Sequence, residues 1–443
     1  MRDESTVSHS PEFERAVYAK VTRRIIPFLF LCYIFAYVDR VNVGFAKLQM
    51  QQDLGLTDAV YGAGAGIFFI GYFFFEIPCN LVLQRIGAKY WLGPIMVVWG
   101  IVSACQMFVK TAVSLYLVRF LLGAVESGFF PGVILYLTFW YPRRYRAKMV
   151  AAFMTAIPLS GVIGGPISGW ILERMSQFHG LRGWQWLFLY EAIPSIFAGV
   201  MALYFLDNGP GAARWLSDEE NQLLVRRLDE DEHSKRLEGS GHYTLSDALR
   251  SHKVWLLCFV YFGMVMVNYG MSFWLPQMVK ETLTNDALYI GLLTAIPWAL
   301  AAIAMVMVGH HSDKTGERRW HIALTSIICS VGFAISALPG ISGAVSFVSL
   351  TVAIASIACS YSTFWALPTA ILSGTAASAG IAWINSVGNL AGYISPYVIG
   401  KIRDTTHNMS AALMVLVACS LVSALITMIF FPNRTRRQAE LMG

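Results

Sequence analysis

Six ionisable residues stand inside stretches apolar enough to cross a bilayer: Asp39, Arg40, Glu76, Arg119, Glu126 and Glu191. Asp39 and Arg40 sit side by side in YVDRVNVGFA (Tyr37 to Ala46), which closes an apolar run that begins at Ile25. A charge at membrane depth costs at least about 2.5–3.5 kcal/mol, so an intramembrane ion is a functional hypothesis by default. A guanidinium grips a carboxylate through a planar fork, as a lysine cannot. A carboxyl desolvated at mid-depth suits reversible protonation. Anion binding and proton exchange are therefore the chemistry on offer.

Spacing assigns partners. With span 1 ending near Ala46, Asp39 lies about 10 Å from its outer end at 1.5 Å per residue. In span 4, Arg119 lies about 6 Å and Glu126 about 16 Å below the outer end. Arg119, Gly123 and Glu126 share one stripe, with Gly123 opening room between the charges. Adjacent residues on a helix diverge by about 100°, so Asp39 and Arg40 cannot face one partner together. The expectation is that Asp39 pairs with Arg119 across the span 1–span 4 contact, while Arg40 turns to a cavity and holds an anion. Glu126 is then the leading proton site and Asp39 a second. Glu76, beside Arg85, reads as a gating or packing pair, and Glu191 has no assigned role.

The elements that must hold these residues are transmembrane helices. Of 443 residues, 56% are hydrophobic and 14% charged, far from the quarter charged in a globular domain. Twelve apolar stretches are each long enough to span: 25–46, 60–83, 91–109, 115–139, 148–171, 185–206, 254–278, 287–308, 321–338, 344–367, 377–399 and 409–431. The N-terminus, the loops after even-numbered spans and the C-terminus hold 24 of the 33 Lys and Arg residues. Positive charge stays inside, so both termini are expected to be cytoplasmic. The net charge of +6 follows from this bias and gives no reason to invoke nucleic acid. The seven cysteines fall within the apolar spans without CxxC spacing and read as packing residues.

The longest polar segment, 207–253, divides the chain into halves at 1–206 and 254–443. Ser217 to Glu220 (SDEE) fits a capping box and predicts a short cytosolic helix over 218–229 in an otherwise solvated linker. GHHSDKTGERR (Gly309 to Arg319) after span 8 and NLVLQRIGAK (Asn80 to Lys89) after span 2 are offset by about 229 residues. The glycines of spans 5 and 11 repeat at nearly the same offset. Parallel six-helix repeats place a substrate site between the halves, near the midplane.

GHHSDKTGERR matches G-x-x-x-D-[RK]-x-G-x-[RK]-[RK], through Gly309, Asp313, Lys314, Gly316, Arg318 and Arg319. That pattern resembles the signature of the major facilitator superfamily. YVDRVNVGFA, GYFFFEIPCN, RFLLGAVESGFFPG and GWQWLFLYEAIPS together are similar to its anion:cation symporter family, over essentially all twelve spans. The resemblance implies a proton-linked carrier of tartrate, sugar acids or phthalate. It also implies proton coupling and anion binding by the acidic–Arg pair of span 1 and the Arg and Glu of span 4, here Asp39, Arg40, Arg119 and Glu126.

Spans 7–12 carry no Asp, Glu, Lys or Arg away from their ends, so the second half is expected to supply neutral contacts. Candidates are Asn268 and Tyr269, Ser362, Thr363 and Trp365, and Asn385 and Asn389, with Tyr33 and Tyr37 on span 1. The repeat offset sets Asn268 opposite Asp39 and Arg40. No Walker A sequence supports ATP-driven transport, and no nucleophile–base pair supports an enzyme. The expected protein is an all-α, twelve-helix symporter of the bacterial inner membrane that works by alternating access. It needs no cofactor or metal and acts as a monomer on a small organic anion, a sugar acid or tartrate. An aromatic carboxylate symporter and an anion exchanger are the alternatives.

Overall fold

The computed structural model describes residues 10–237, 250–371 and 375–431, and its regular structure is helical throughout them. The first helix starts where Ser10 accepts the Phe13 N–H at 3.1 Å. Pro11 follows in the first turn, where its missing N–H leaves nothing unpaired. The helix runs Pro11–Val41, breaks at Asn42 and resumes as Val43–Asp53. Its far end is thus Asp53, about two turns beyond the expected Ala46. The polar residues after Ala46 read as a loop, yet Lys47 is fully buried. Its ammonium meets Asp58 at 2.8 Å and lies 4.3 Å above the Trp274 ring.

Among the described residues, eleven helices are long and apolar enough to cross a membrane. They coincide with expected spans 1 to 10 and 12. In the place of span 11 stands the 32-residue helix Thr375–Thr406, whose middle carries Asn385, Ser386 and Asn389. Span 4 is two helices, Ala112–Glu126 and Phe129–Thr138, bent at Ser127 and Gly128 directly after Glu126.

The predicted capping box forms. Ser217 N–H donates to Glu220 at 2.8 Å, and Glu220 N–H to the Ser217 hydroxyl at 3.2 Å. The helix it starts, Asp218–Leu237, is longer than expected. It is also docked: Leu223 and Leu224 are buried, Lys20 pairs with Glu220 at 2.6 Å and Arg227 with Glu14 at 2.7 Å. A solvated linker was the expectation, and these ion pairs overturn it for this stretch.

Helices before residue 206 meet those after residue 252 along two close seams. The helix Asp58–Ile86 packs on Thr375–Thr406, and Ala156–Arg174 packs on Ala287–Thr315. A Cβ on Gly62 would stand 2.1 Å from the Pro396 carbonyl oxygen, and one on Gly291 2.3 Å from that of Gly165. Only glycine permits backbones this near. Ion pairs close the same end of the bundle. Asp58 takes Arg403 at 3.0 Å, Arg403 also binds Glu281 at 2.6 Å, and the Asp404 carboxylate caps Asp58 N–H and Ala59 N–H at 2.9 and 2.8 Å. Hydrogen bonds between described residues that join the two sets lie between this Asp58 end and Glu76. The motif hairpin at Gly309–Arg319 and the helix Asp218–Leu237 belong to the opposite end.

Candidate transport site

Helix geometry now places Arg40 about 20 Å from Asp53, and Glu126 about 21 Å from Ala112. The two residues are level, and they bind. Arg40 Nε donates to Glu126 Oε1 at 3.0 Å and Nη2 donates to the same oxygen. Its remaining arm, Nη1, donates to the Tyr269 hydroxyl at 3.1 Å. Phe68, Tyr37 and Tyr72 surround the guanidinium with ring centroids 5.2, 5.4 and 5.6 Å away. Glu126 Oε2 is buried and has no partner. Breaking a buried pair from one side costs about 3–5 kcal/mol, because the other charge is stranded. An anion that replaces Glu126 on Arg40 must therefore be accompanied by something that neutralises Glu126.

The expected Asp39–Arg119 pair does not form. Asp39 is fully buried and takes three donors: Trp99 Nε1 at 3.2 Å, Ser103 Oγ at 3.0 Å and Ser195 Oγ at 2.5 Å. Arg119 donates Nη2 to the backbone carbonyls of Arg40 at 3.1 Å and Ala65 at 3.0 Å. Depth explains the failure. Ending span 1 at Ala46 lifted Asp39 to the level of Arg119, whereas the true end leaves it about 10 Å below. Arg119 thus ties spans 1, 2 and 4 together behind Arg40, with Nε and Nη1 unpartnered. Gly123 makes no room between charges. A Cβ there would lie 1.8 Å from the Phe68 carbonyl, so this glycine brings spans 2 and 4 together.

Across the seam, Asn268 Nδ2 donates to the Tyr37 hydroxyl at 3.0 Å, beside the Arg40–Tyr269 bond. The repeat offset sets Asn268 opposite Asp39 and Arg40, whereas its hydrogen bond is to Tyr37. Tyr33 stacks on Phe153 at 4.4 Å. Trp365 meets the Tyr261 ring at 4.8 Å, and the Tyr261 and Tyr361 hydroxyls lie 2.6 Å apart. Sequence reasoning missed Tyr72, Tyr261 and Tyr361, although a hydroxyl-bearing ring at mid-span is itself a signal.

Asn385 Nδ2 donates to Glu76 Oε1 at 3.4 Å, so Glu76 joins the two sets of helices and is not paired with Arg85, which is exposed. Asn389 is half-buried one turn further along. Ser362 lies against span 8. Its hydroxyl donates to Cys359 O at 2.9 Å and lies against Met305 O of span 8. Thr363 is buried and donates to Cys359 O at 3.0 Å. In the motif hairpin, Arg318 binds Asp313 at 2.5 Å and the Ser312 hydroxyl at 2.8 Å. Gly316 turns the chain at φ 67°, Lys314 ends the preceding helix and Arg319 lies over Trp320.

A buried Arg–Glu pair lies at the seam between two sets of long apolar helices. Residues 29–396 match the Major Facilitator Superfamily. The chain belongs to that superfamily. Its members are transporters and not enzymes, and the long apolar helices make this a multi-pass membrane protein. It is 44% identical to a protein of Agrobacterium vitis that bears the name of a tartrate transporter, over 97% of this chain and 94% of that one. It is 45% identical to the metabolite transport protein NicT of Pseudomonas putida, over 93% of this chain and 94% of that one. Among solved folds it superposes on a bacterial homologue of the human lysosomal transporter Spinster in an inward-facing, occupied conformation. That match has a TM-score of 0.74 at 14% identity and covers 91% of this chain and 96% of the other.

Proposed function

We propose that this chain is a proton-coupled importer of a small hydroxylated organic anion, a tartrate or a sugar acid, across a bacterial inner membrane. The observation that carries the reading is Arg40 at mid-depth, shared between Glu126 of one helix set and Tyr269 of the other. Protonation of Glu126 frees the guanidinium, the substrate carboxylate takes the vacated fork, and both travel together. Loss of the proton on the other side restores the Arg40–Glu126 pair and expels the anion. Asp39, with three donors around it, is the second proton site. Asn268, Tyr269, Asn385 and Asn389 supply hydrogen bonds to hydroxyls, and Tyr33, Tyr37 and Trp365 wall the cavity. The tartrate transporter named above, alike over nearly the whole chain, supports the cargo class.

On this reading the chain has twelve spans, with six-helix halves at 1–206 and 254–443 and both termini in the cytoplasm. The Asp58 end then faces outward and is shut, so the arrangement is inward-facing. The hairpin Gly309–Arg319 engages the first half only when the carrier turns. A second reading, an aromatic carboxylate as cargo, is favoured by the rings about Arg40 and by Tyr261, Tyr361 and Trp365. Uptake into proteoliposomes tests all of this with tartrate, aldonates, phthalate and hydroxyphenylacetate, with and without a pH gradient. Accumulation of one of them only under the gradient supports symport. Exchange without accumulation supports an anion exchanger and overturns the coupling.

A further inference from the structure

One buried acid has no part in the cycle above. Glu191, on the helix Gly183–Phe205, is 6% exposed. Its Oε1 accepts from the Ser168 hydroxyl at 2.6 Å, while Oε2 is buried with no partner. Asn42, at the break in the first helix, lies against this carboxyl. It is 1% exposed, and neither its amide nitrogen nor its oxygen makes a well-formed hydrogen bond. The carboxyl is thus held by one serine hydroxyl and a loosely placed amide, with no cation bonded to it, where a buried charge needs a partner or a proton. The charged neighbour of Glu191 is Asp39 of span 1, with Ser168 facing from span 5. Arg119 of span 4 is within electrostatic reach of Asp39 but spends its bonds on backbone carbonyls. No basic group described here is hydrogen-bonded to either carboxyl.

Asn42 and Ser168 also line a cavity of about 30 Å³ between spans 1, 5, 7 and 8. That volume holds about two waters. Ser160, Ser272 and Thr294 share the lining, and their hydroxyl protons go to the carbonyls of Ile157, Asn268 and Gly291 at 2.6, 2.8 and 2.9 Å. With those protons committed, their oxygens present lone pairs. Glu191 stands behind Asn42 and Ser168 of this lining, and an acceptor-lined cavity beside a carboxyl suits water that carries a proton and excludes an anion. The cavity lies on the seam between the helix sets, so it is exposed when they part at the Asp58 end.

We propose that Glu191 is a further proton-carrying site, loaded from this cavity and separate from the Arg40–Glu126 pair. A protonated water gives its proton to Oε2. The resulting acid O–H donates to the Asn42 amide oxygen, and the Asn42 NH₂ is left to the cavity water. Release reverses the same transfer. Asp39 nearby favours uptake, because two carboxylates without a cation resist joint ionisation. The site deepens the coupling reading above: each turnover moves one proton more than Glu126 and its neighbours supply without it.

The first test needs no cargo. Infrared difference spectra of the reconstituted full chain, recorded between two pH values, report protonated carboxyl groups directly. The wild type should show a band that Glu191→Asp shifts and Glu191→Gln removes. A spectrum that neither variant alters overturns the site, and a band displaced by sodium at fixed pH overturns it in favour of a metal ion. The second test counts protons per tartrate from the balance of gradients at equilibrium. Glu191→Gln should lower the ratio by one, with tartrate counterflow within about threefold of wild type. An unchanged ratio refutes a role for Glu191 in coupling. Failure of the wild type to accumulate tartrate under a pH gradient refutes the coupling reading instead, and leaves the infrared result to decide whether Glu191 binds a proton.

Discussion

Replacing Arg403 by leucine should unseal the Asp58 end. Arg403 belongs to the second helix set and Asp58 to the first, so their 3.0 Å contact exists only while the two sets are together. Both side chains are mostly buried, at 16% and 14% exposure. A hydrogen bond to a charged group contributes about 1.5–3 kcal/mol, which is roughly a 10- to 150-fold change in the ratio of sealed to parted forms. Asp58 keeps Lys47 in either form, because both lie in the first set, so no charge is stranded. Glu281 provides the internal control. Its bond to Arg403 lies within the second set and survives parting, so Glu281→Gln should shift the ratio little. The assay is labelling of Thr294→Cys, which lines the cavity under the seal, by a membrane-impermeant maleimide in a background without the seven native cysteines. Arg403→Leu should speed labelling at least tenfold, and Arg403→Lys should recover part of the protection. A rate within twofold of the parent would show that the seal does not depend on this pair.

Tyr269→Phe removes one donor–acceptor contact to Arg40 without changing the ring. It should raise the half-saturating tartrate concentration roughly tenfold, and unchanged tartrate uptake kinetics would remove Tyr269 from the site. The docked helix Asp218–Leu237 should respond to acid. Hydrogen bonding by Arg227, and then Arg226, holds the exposed Glu230 carboxyl below its ordinary range. A lowered carboxyl contributes stability above its unfolded value and loses it as pH falls through the folded one. Amide exchange protection of this helix should therefore be flat from pH 7 to 5 and decline below about 4. A decline centred at neutral pH would contradict the assignment.

Much of this architecture was legible in the sequence because lipid imposes it. Apolar length located the spans, and the ionic asymmetry assigned charge handling to the first group of helices, though not the pairing of Arg40 with Glu126. The repeat offset set Asn268 opposite Asp39 and Arg40, and its hydrogen bond goes to Tyr37, three residues before Arg40. What escaped was set by packing. Lys47 read as the end of a span because a lysine costs so much in lipid, yet Asp58, Trp274 and Tyr61 enclose it. That error of about two turns misplaced Asp39, and so paired it with Arg119. The actual partners of Asp39, namely Trp99, Ser103 and Ser195, come from spans 3 and 6, and no spacing within one helix can reveal them. Gly123 read as room between two charges, whereas the helix it admits is that of Phe68, a matter of tertiary structure.

The central claim is that Arg40 passes between Glu126 and the cargo, and that a proton on Glu126 governs the exchange. Tartrate transport by Glu126→Gln in proteoliposomes tests it most directly. A neutral amide mimics the protonated acid, so the variant should bind and exchange tartrate across the membrane while a pH gradient drives no accumulation. Accumulation at the wild-type level under that gradient would contradict the account.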